Sequence, residues 1–434
     1  MRRTRVVVAG VVVLSALMAA VWALPDAGAV PPPTTTGPGT TVPPPPGTSG
    51  DYVRVNEFRE LSSTIAQAVR LVAADVDGRA SFFYGGTIGL TKVLRDSAVR
   101  SAAPTGFRYP VTFAAVSVDD ARGLFPLDVL RSLARGDVVM NADAAERRGV
   151  EVGDEVRLVG WNRAVRQVPV GAITDLVGSE VLISKERARE LGLRRPSYVL
   201  VWGFSDRAAV DAALQTRLAG KPPVRISRKW DPATADETLS SVGLKELLGE
   251  FAIRGDGSIS VDATWRRANI TTAIFTVGGK RIIKTCHRLV IPFIQQALDR
   301  ITEEGLASEI DVRNSQRYGG CFHPRAVRSV GSTSGANVST HTWGGAIDLN
   351  PSANCIGCRP KISCRVVQIF RELGFAWGGN FLTRDGMHFE YVGEPRHTTP
   401  SRPTDLCPTT GSVPLSPLVP LSQDAFVVED QRTE

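Results

Sequence analysis

Two short segments of the sequence carry histidines beside acidic residues at spacings that suit a metal site. His341 and Asp348 lie in Ser339–Asp348 (STHTWGGAID), and His388 lies in Asp385–Glu390 (DGMHFE). Zinc sites that hydrolyse bonds use imidazole and carboxylate ligands and leave one position for water. Bound zinc lowers the pKa of that water towards about 7, and a nearby carboxylate takes its proton during attack. His341, Asp348 and His388 supply two imidazoles and one carboxylate, the ligand types that a hydrolytic zinc site needs.

Strand periodicity indicates how these side chains would face one another. Residues 346–349 (AIDL) alternate, so Asp348 would lie on one face of a strand while its neighbours enter the core. Residues 387–390 (MHFE) alternate in the same way, which puts His388 and Glu390 on one face. A histidine near a glycine-rich turn can equally be a hydrogen-bonded core residue. Two such histidines, each with an acid at short range, weaken that alternative, but the pattern of residues alone leaves both interpretations open.

The general base is ambiguous from spacing alone. Glu390 shares a face with His388, whereas Asp385 reaches that side only if Gly386 bends the chain. Both acids remain candidates on the pattern of residues.

The two segments resemble the motifs of the M15 metallopeptidases. STHTWGGAID fits the pattern SxHxxGxAxD, DGMHFE fits the later D/E-x-x-H element, and FAWGGNF (residues 375–381) is similar to a tryptophan-bearing strand of that family. The resemblance covers roughly residues 245–395. It implies zinc bound by His341, Asp348 and His388, Asp385 as general base, and peptidoglycan stem peptides containing D-residues as substrate.

The resemblance also implies an arginine that polarises the scissile carbonyl. Arg325 is the first choice and Arg317 the second, although the loop departs from the family's SGYR-type pattern. We expect His323 not to be a ligand. The remaining expected substrate-binding residues, several of them as walls of the cleft, are Ser339, Trp343, Trp377 and Glu390.

The N-terminus predicts export. A basic stretch (MRRTR) precedes an apolar run over residues 6–24 and a small-residue cleavage site (AGA, residues 27–29). Residues 1–29 are therefore a cleaved signal peptide or an uncleaved membrane anchor. Residues 30–50 are a Pro/Thr-rich linker, which favours extended polyproline structure. We expect an extracytoplasmic protein, secreted to the cell wall or anchored to the membrane.

The cysteines fit that location, because an even number in an exported chain indicates disulfides. All six lie between residues 286 and 407. The Cys355-x-x-Cys358 pair followed by Cys364 could alternatively bind a structural zinc ion.

The rest of the chain divides into further regions. We predict an α+β protein, with a mixed α/β accessory domain at 51–235 and a zinc peptidase domain at 236–398, a small antiparallel sheet flanked by helices. A linker is expected at 221–236 and a Pro-rich tail at 399–434. Residues 141–171 resemble the extracytoplasmic domains of MacB/FtsX-type permeases. Expected helices cover 58–74, 184–192, 206–218, 290–304 and 365–373, and expected strands cover 150–160, 168–173 and 309–318.

The net charge of +7 is spread over 434 residues with no basic block, so we expect no nucleic-acid partner. The sequence thus predicts an exported zinc peptidase of peptidoglycan, acting as carboxypeptidase or endopeptidase. The rival interpretation is a zinc-containing wall-binding or regulatory protein without catalysis. A protein partner could bind through residues 51–235.

Overall fold

The structure is a computed structural model of the 434-residue chain. It describes residues 50–57, 60–160, 162–176, 178–193, 195–231, 233–254, 259–327, 337–395 and 405–409. The predicted signal peptide or anchor, nearly all of the linker after it and most of the tail lie outside these ranges. Within them, no helix combines the length and the apolar character needed to cross a membrane.

The first region is built on one 11-stranded sheet, whose last strand comes from the second region. Its strands are β1 (Tyr52–Asn56), β2 (Arg79–Arg95), β3 (Ala98–Ala102), β4 (Phe107–Val116), β5 (Val138–Asn141), β6 (Glu155–Val159), β7 (Val165–Thr174), β8 (Val181–Ser184), β9 (Tyr198–Trp202), β10 (Arg225–Arg228) and β11 (Ile253–Arg254). The helices around it are α1 (Ser63–Asp75), α2 (Val118–Ala121), α3 (Leu127–Arg135), α4 (Ala142–Glu146), α5 (Lys185–Glu190) and α6 (Arg207–Leu218).

Part of this sheet closes into a ring. The order β2–β6–β7–β5–β8–β4 returns to β2, because β2 pairs with both β6 and β4. Side chains alternate across a strand, so every second residue points into the ring. These inward residues form one buried apolar cluster, which includes Ile88, Leu90, Val111, Phe113, Val138, Met140, Val156, Leu158, Val168, Val170, Val181 and Ile183. The accessory region is therefore a barrel-like sheet with helices around it.

The second region is smaller in its sheets and richer in loops. Its elements are α7 (Ser241–Leu248), α8 (Ala263–Asn269), β12 (Ile270–Val277), β13 (Lys280–His287), α9 (Ile291–Glu303), α10 (Val312–Tyr318), β14 (Ala346–Asp348), α11 (Cys364–Glu372), β15 (Phe375–Trp377) and β16 (His388–Tyr391). β12 and β13 form a hairpin, and β14, β16 and β15 form an antiparallel sheet in that order. One apolar core joins the hairpin, α9, α11 and this sheet. The predicted small antiparallel sheet with helices is present.

The expected helices are found as α1, α5, α6, α9 and α11, although the start of the first prediction includes undescribed residues. The strand predicted at 168–173 lies within β7, but the one predicted at 150–160 begins only at Glu155. The predicted linker at 221–236 contains β10, which pairs with β1.

The strand predicted at 309–318 is wrong. A short 3-10 turn ends at Glu309, and α10 follows it. The carboxylate of Asp311 accepts a hydrogen bond from the Asn314 amide 3.0 Å away and so caps the helix. This N-cap favours the helix over the extended backbone that the residue pattern suggested.

All the cysteines are paired. The disulfides are Cys286–Cys321, Cys355–Cys358 and Cys364–Cys407. The structural zinc alternative at the Cys-x-x-Cys pair is therefore wrong, because its thiols and that of Cys364 are consumed in disulfides. Disulfides indicate an oxidising location.

The two regions share a buried ionic cluster in addition to the pairing of β11 with β4. Lys245 of α7 lies 2.8 Å from Glu180 of the first region, and Arg148 lies 3.0 Å from the same carboxylate. Glu250 contacts both cations. The domain boundary predicted near residue 235 stays a prediction. The ionic cluster and the pairing of β11 with β4 join residues before this position to residues after it.

Candidate metal centre

Three short elements deliver the predicted ligands. His341 lies in a 3-10 turn (Thr340–Thr342), Asp348 ends β14, and His388 begins β16. Asp348 and His388 are direct partners in the antiparallel ladder, so both side chains lie on the same face. The turn needs glycine at Gly344, where φ is +69° and a Cβ would lie 2.8 Å from the backbone nitrogen of His287. Sequence alternation therefore predicted the right face for both strand residues.

The three side chains converge. Nε2 of His341 lies 3.1 Å from Nδ1 of His388, and Oδ1 of Asp348 lies 3.3 Å from each of these nitrogens. All three residues are buried, and their ligand atoms lie within 4.8 Å of one another. Among the described residues this group has the composition of a hydrolytic zinc site, with two imidazoles and one carboxylate.

The other nitrogen of each imidazole is held from behind. Nδ1 of His341 lies 3.1 Å from the Cys321 carbonyl oxygen, and Nε2 of His388 lies 3.0 Å from Oε2 of Glu390. Both partners accept hydrogen bonds only, so the rear nitrogens carry the protons and the facing nitrogens present lone pairs. Nε2 of His341, Nδ1 of His388 and Oδ1 of Asp348 can thus all donate an electron pair to a cation. The residues present therefore fit zinc.

Charge in the metal-free site follows the same geometry. Burial alone would raise the pKa of Asp348, but the neighbouring His341 and His388 hold it well below its usual range. Burial opposes protonation of His388, yet its hydrogen bonds to Asp348 and Glu390 raise its pKa to about 10. A metal ion would take the place of that proton, because a ligating imidazole must be neutral.

Glu390 is a hydrogen-bond acceptor of this site. Its Oε2 accepts the Thr340 hydroxyl at 2.9 Å as well as the rear nitrogen of His388. The side chain is 6 % exposed. Glu390 therefore lies behind His388, where it orients the imidazole. His388 and Glu390 share a strand face as predicted, and the substrate-binding role of Glu390 stays a prediction.

Asp385 lies close enough to His388, Asp348 and His341 for their charges to act on its carboxylate. Burial raises the pKa of Asp385 above its usual value. Its Oδ1 is buried and has no hydrogen-bond partner, which is uncommon for a carboxylate oxygen. The backbone around it is fixed, since its amide donates to the Gly378 carbonyl at 2.9 Å and its carbonyl accepts from the His388 amide at 3.1 Å.

The two candidate arginines differ in their placement. Arg325 is half-buried and lowers the pKa of Asp385 through its charge, so its guanidinium lies near that carboxylate. Its carbonyl accepts from the Ser339 amide at 3.0 Å, which ties Arg325 to the turn that carries His341. Arg317 is exposed on α10. Ser339 is buried beside this tie, and its proposed contact with substrate stays a prediction.

Both tryptophans predicted as cleft walls lie in the core. Trp343 and Trp377 are each 1 % exposed. The Trp343 indole donates to the Gly249 carbonyl at 3.0 Å, and the Trp377 indole donates to the Gly386 carbonyl at 2.9 Å. Trp377 therefore supports the segment next to Asp385 from behind. The contact of both tryptophans with substrate stays a prediction.

Sequence reasoning missed Lys284. This lysine is 8 % exposed and donates to the Gln316 carbonyl at 2.7 Å. Burial lowers its pKa to about 8, and the charge of Asp348 opposes that shift, so a cation lies near the metal ligand. The sequence could have indicated this burial. Ile282, Lys284 and Cys286 are every second residue of β13 and so lie on one face of the strand, and the apolar residues on either side of Lys284 are buried.

Comparisons with known proteins bear on this region. A family model described as D-alanyl-D-alanine carboxypeptidase, of the M15 peptidases, matches residues 332–391. No curated protein matches the chain. A solved structure, the extracellular domain of the noncanonic ABC-type transporter YknZ from Gram-positive bacteria, is similar at 11 % identity and a TM-score of 0.26, over 41 % of this chain and 99 % of that one. The match thus supports an M15 family peptidase in the C-terminal part of the chain.

Proposed function

We propose that this protein is an exported zinc peptidase that hydrolyses peptide bonds in peptidoglycan stem peptides. The observation that carries the proposal is the convergence of His341 Nε2, His388 Nδ1 and Asp348 Oδ1, each imidazole fixed from behind by an acceptor. The matched family description supports D-alanyl peptides as the substrate class. The disulfides support an extracytoplasmic location.

His341, Asp348 and His388 would hold the zinc ion. When bound, zinc supplies a Lewis acid that acidifies an attacking water and polarises the scissile carbonyl. The carbonyl of Cys321 and the carboxylate of Glu390 keep the two imidazoles in the tautomer that ligation requires.

Asp385 is the proposed general base. Its buried Oδ1 is free to accept a proton from water while the water oxygen bonds to the carbonyl carbon. The same carboxyl group then gives that proton to the amine nitrogen as the C–N bond breaks. The raised pKa of Asp385 suits these two proton transfers. It brings the pKa of the carboxyl group closer to those of the attacking water and of the leaving amine.

Arg325 is the proposed stabiliser of the carbonyl oxygen. Negative charge develops on that oxygen during attack, and a preorganised cation close to the base offsets it. The half-buried position of Arg325 beside Asp385 supports this role better than the exposed position of Arg317.

The test is digestion of muropeptides by the zinc-loaded full-length protein, with products identified by mass spectrometry. We expect wild-type protein to release amino acids or peptides, and the masses identify the bond. Asp385→Asn should keep its zinc, measured by elemental analysis, and lose at least about 100-fold in rate. Glu394→Gln, which changes an exposed acid of the same region, is the matched control and should behave as wild type.

Two results would contradict the proposal. Wild-type protein that retains zinc but releases no product would support the rival wall-binding interpretation. An Asp385→Asn variant with wild-type rates would exclude this residue as base. His388→Ala should lose the metal itself, which separates failure of binding from failure of proton transfer.

A further inference from the structure

A small disulfide loop lies directly against the segment of the proposed base. Cys355 and Cys358 close a loop of consecutive residues between β14 and α11, with the Cys358 amide donating to the Cys355 carbonyl at 3.0 Å. The tip of the loop is Ile356-Gly357. Both tip residues are exposed, whereas the residue that precedes the loop, Asn354, is fully buried.

The loop pairs with the base segment by its backbone. Ile356 forms an antiparallel bridge with Asp385, and the Gly357 amide donates to the Arg384 carbonyl at 2.7 Å. The next residue after Asp385 is Gly386, where a Cβ would lie 2.4 Å from Cγ of Pro360. The two segments therefore approach too closely for any residue but glycine at this position. The loop is therefore a direct neighbour of the residue expected to transfer the proton.

Asn354, the residue before Cys355, fixes the start of the loop. Its side-chain oxygen accepts from the amides of Lys361 at 2.7 Å and Ile362 at 3.1 Å, and its backbone carbonyl accepts from the Met387 amide at 3.1 Å. Its side-chain amide reaches the carbonyls of Leu349 and Asn350, each at 3.3 Å. With this anchor on one side and the disulfide on the other, the tip is held in one position relative to Asp385.

The bridge to Asp385 determines the face on which the side chain of Ile356 lies. Residues directly opposite in an antiparallel pair project to the same face, with Cβ atoms roughly 5 Å apart. The carboxylate of Asp385 lies near the proposed metal ligands, because their charges act on it. Ile356 is 39 % exposed, although a large aliphatic side chain gains free energy when it is covered. An apolar surface thus borders the site where water would attack.

We propose that Ile356 is a specificity-determining residue of the peptidase. It packs against a small aliphatic side chain, such as the methyl group of an alanyl residue, on the substrate residue beside the scissile bond. The disulfide loop fixes the position of Ile356 relative to the carboxylate of Asp385. A substrate whose side chain packs against Ile356 therefore also has its scissile carbonyl in position for attack. This inference rests on the proposed peptidase function.

The experiment compares matched substrates. The stem peptide that wild-type protein cleaves is assayed beside the same peptide with glycine in place of the alanyl residue on each side of the scissile bond in turn. We expect Ile356→Ala to reduce the preference for alanyl over glycyl substrate about tenfold, mainly through KM for the alanyl peptide. Ile356→Val, which keeps most of the contact, should stay close to wild type, and zinc content should be unchanged in both variants.

Ile283→Ala is the control, because this isoleucine is also exposed in the same region, at 47 %, and lies on the face of β13 opposite Lys284. It should leave the substrate preference unchanged. An active wild type with the same alanyl-to-glycyl ratio in Ile356→Ala would overturn this inference alone. A wild type that cleaves neither peptide nor any muropeptide would overturn the inference and the proposed function together.

Discussion

Nε2 of His341 and Nδ1 of His388 face each other at 3.1 Å, although the rear nitrogen of each ring has its own acceptor. Without a metal ion, one of the facing lone pairs must take a proton, and the raised pKa of His388 expresses that demand. The pair is therefore arranged for a cation. Removing the acceptor that is a side chain, Glu390, should weaken that arrangement without removing a ligand.

Glu390→Gln is expected to lower zinc affinity by about 10- to 100-fold, because an amide no longer holds His388 in the ligating tautomer as a carboxylate does. The dissociation constant can be measured by competition with a chromophoric chelator. Glu394→Gln serves as control for the loss of an acid from an exposed position. A zinc affinity of Glu390→Gln equal to that of wild type would show that Glu390 does not tune the site.

Arg325→Ala is expected to lower kcat by about 100- to 1,000-fold, the range found when one donor to a developing oxyanion is removed. Zinc content should not change, since Arg325 is not a ligand. Arg325→Lys should recover only part of the rate, because an ammonium lacks the planar fork of a guanidinium. Steady-state kinetics on the cleaved stem peptide provide the measurement. If Arg317→Ala lost this activity and Arg325→Ala kept it, the two assignments would have to be exchanged.

The shared face of Asp348 and His388 could be predicted because strand alternation is a local property. Asp348 and His388 needed only the two-residue period to be placed on one face, and the ladder pairs them directly. The role of Glu390 could not be predicted in this way. Alternation gives the face of a strand, but only the pairing of β14 with β16 places Glu390 opposite Ala346 and behind His388.

Other features depended on contacts distant in sequence. The ring of the first region closes because β2 pairs with β4 as well as β6, and a pattern of short strands does not reveal such a closure. The indole nitrogen of Trp343 donates to the carbonyl of Gly249, a residue 94 positions away, and no local pattern predicts such a contact. The helix α10 was missed because a cap at Asp311 outweighed a short stretch of extended-favouring residues.

The buried ionic cluster between the two regions gives a prediction about stability. Burial would raise the pKa of Glu180, but the charges of Lys245 and Arg148 lower it below its usual value, so the carboxylate is ionised. Glu180→Gln would remove one of the two carboxylates that contact both cations and leave Glu250 as the other, and breaking a buried pair costs about 3 to 5 kcal/mol. We expect that loss in the free energy of unfolding, measured by urea denaturation with zinc in excess.

The matched control for that change is Glu151→Gln. Glu151 pairs with Arg95 at 2.7 Å, but its side chain is 70 % exposed, so its loss should cost less than about 1 kcal/mol. Equal effects of the two substitutions would mean that the cluster contributes no more than a surface ion pair.

His287 gives a prediction about pH. The side chain is 5 % exposed, its Nε2–H donates to the Leu248 carbonyl at 3.2 Å, and its Nδ1 accepts from the Leu289 amide at 3.2 Å. Burial lowers its pKa from 6.5 to about 4, despite the opposing hydrogen bond to Leu248. In the unfolded chain His287 is therefore protonated below about pH 6.5, whereas in the folded chain it is protonated only below about pH 4.

Stability should consequently fall as the pH drops through that window and should level off below it. With one pKa unit equivalent to about 1.4 kcal/mol, the loss from this histidine is about 2 kcal/mol at pH 5. We expect His287→Gln to show a correspondingly smaller difference between its free energies of unfolding at pH 7.5 and at pH 5, measured with a chelator present so that metal release does not contribute. His323→Gln, which changes an exposed histidine, should keep the wild-type difference. The same pH dependence in His287→Gln and wild type would mean that His287 is not held neutral by burial.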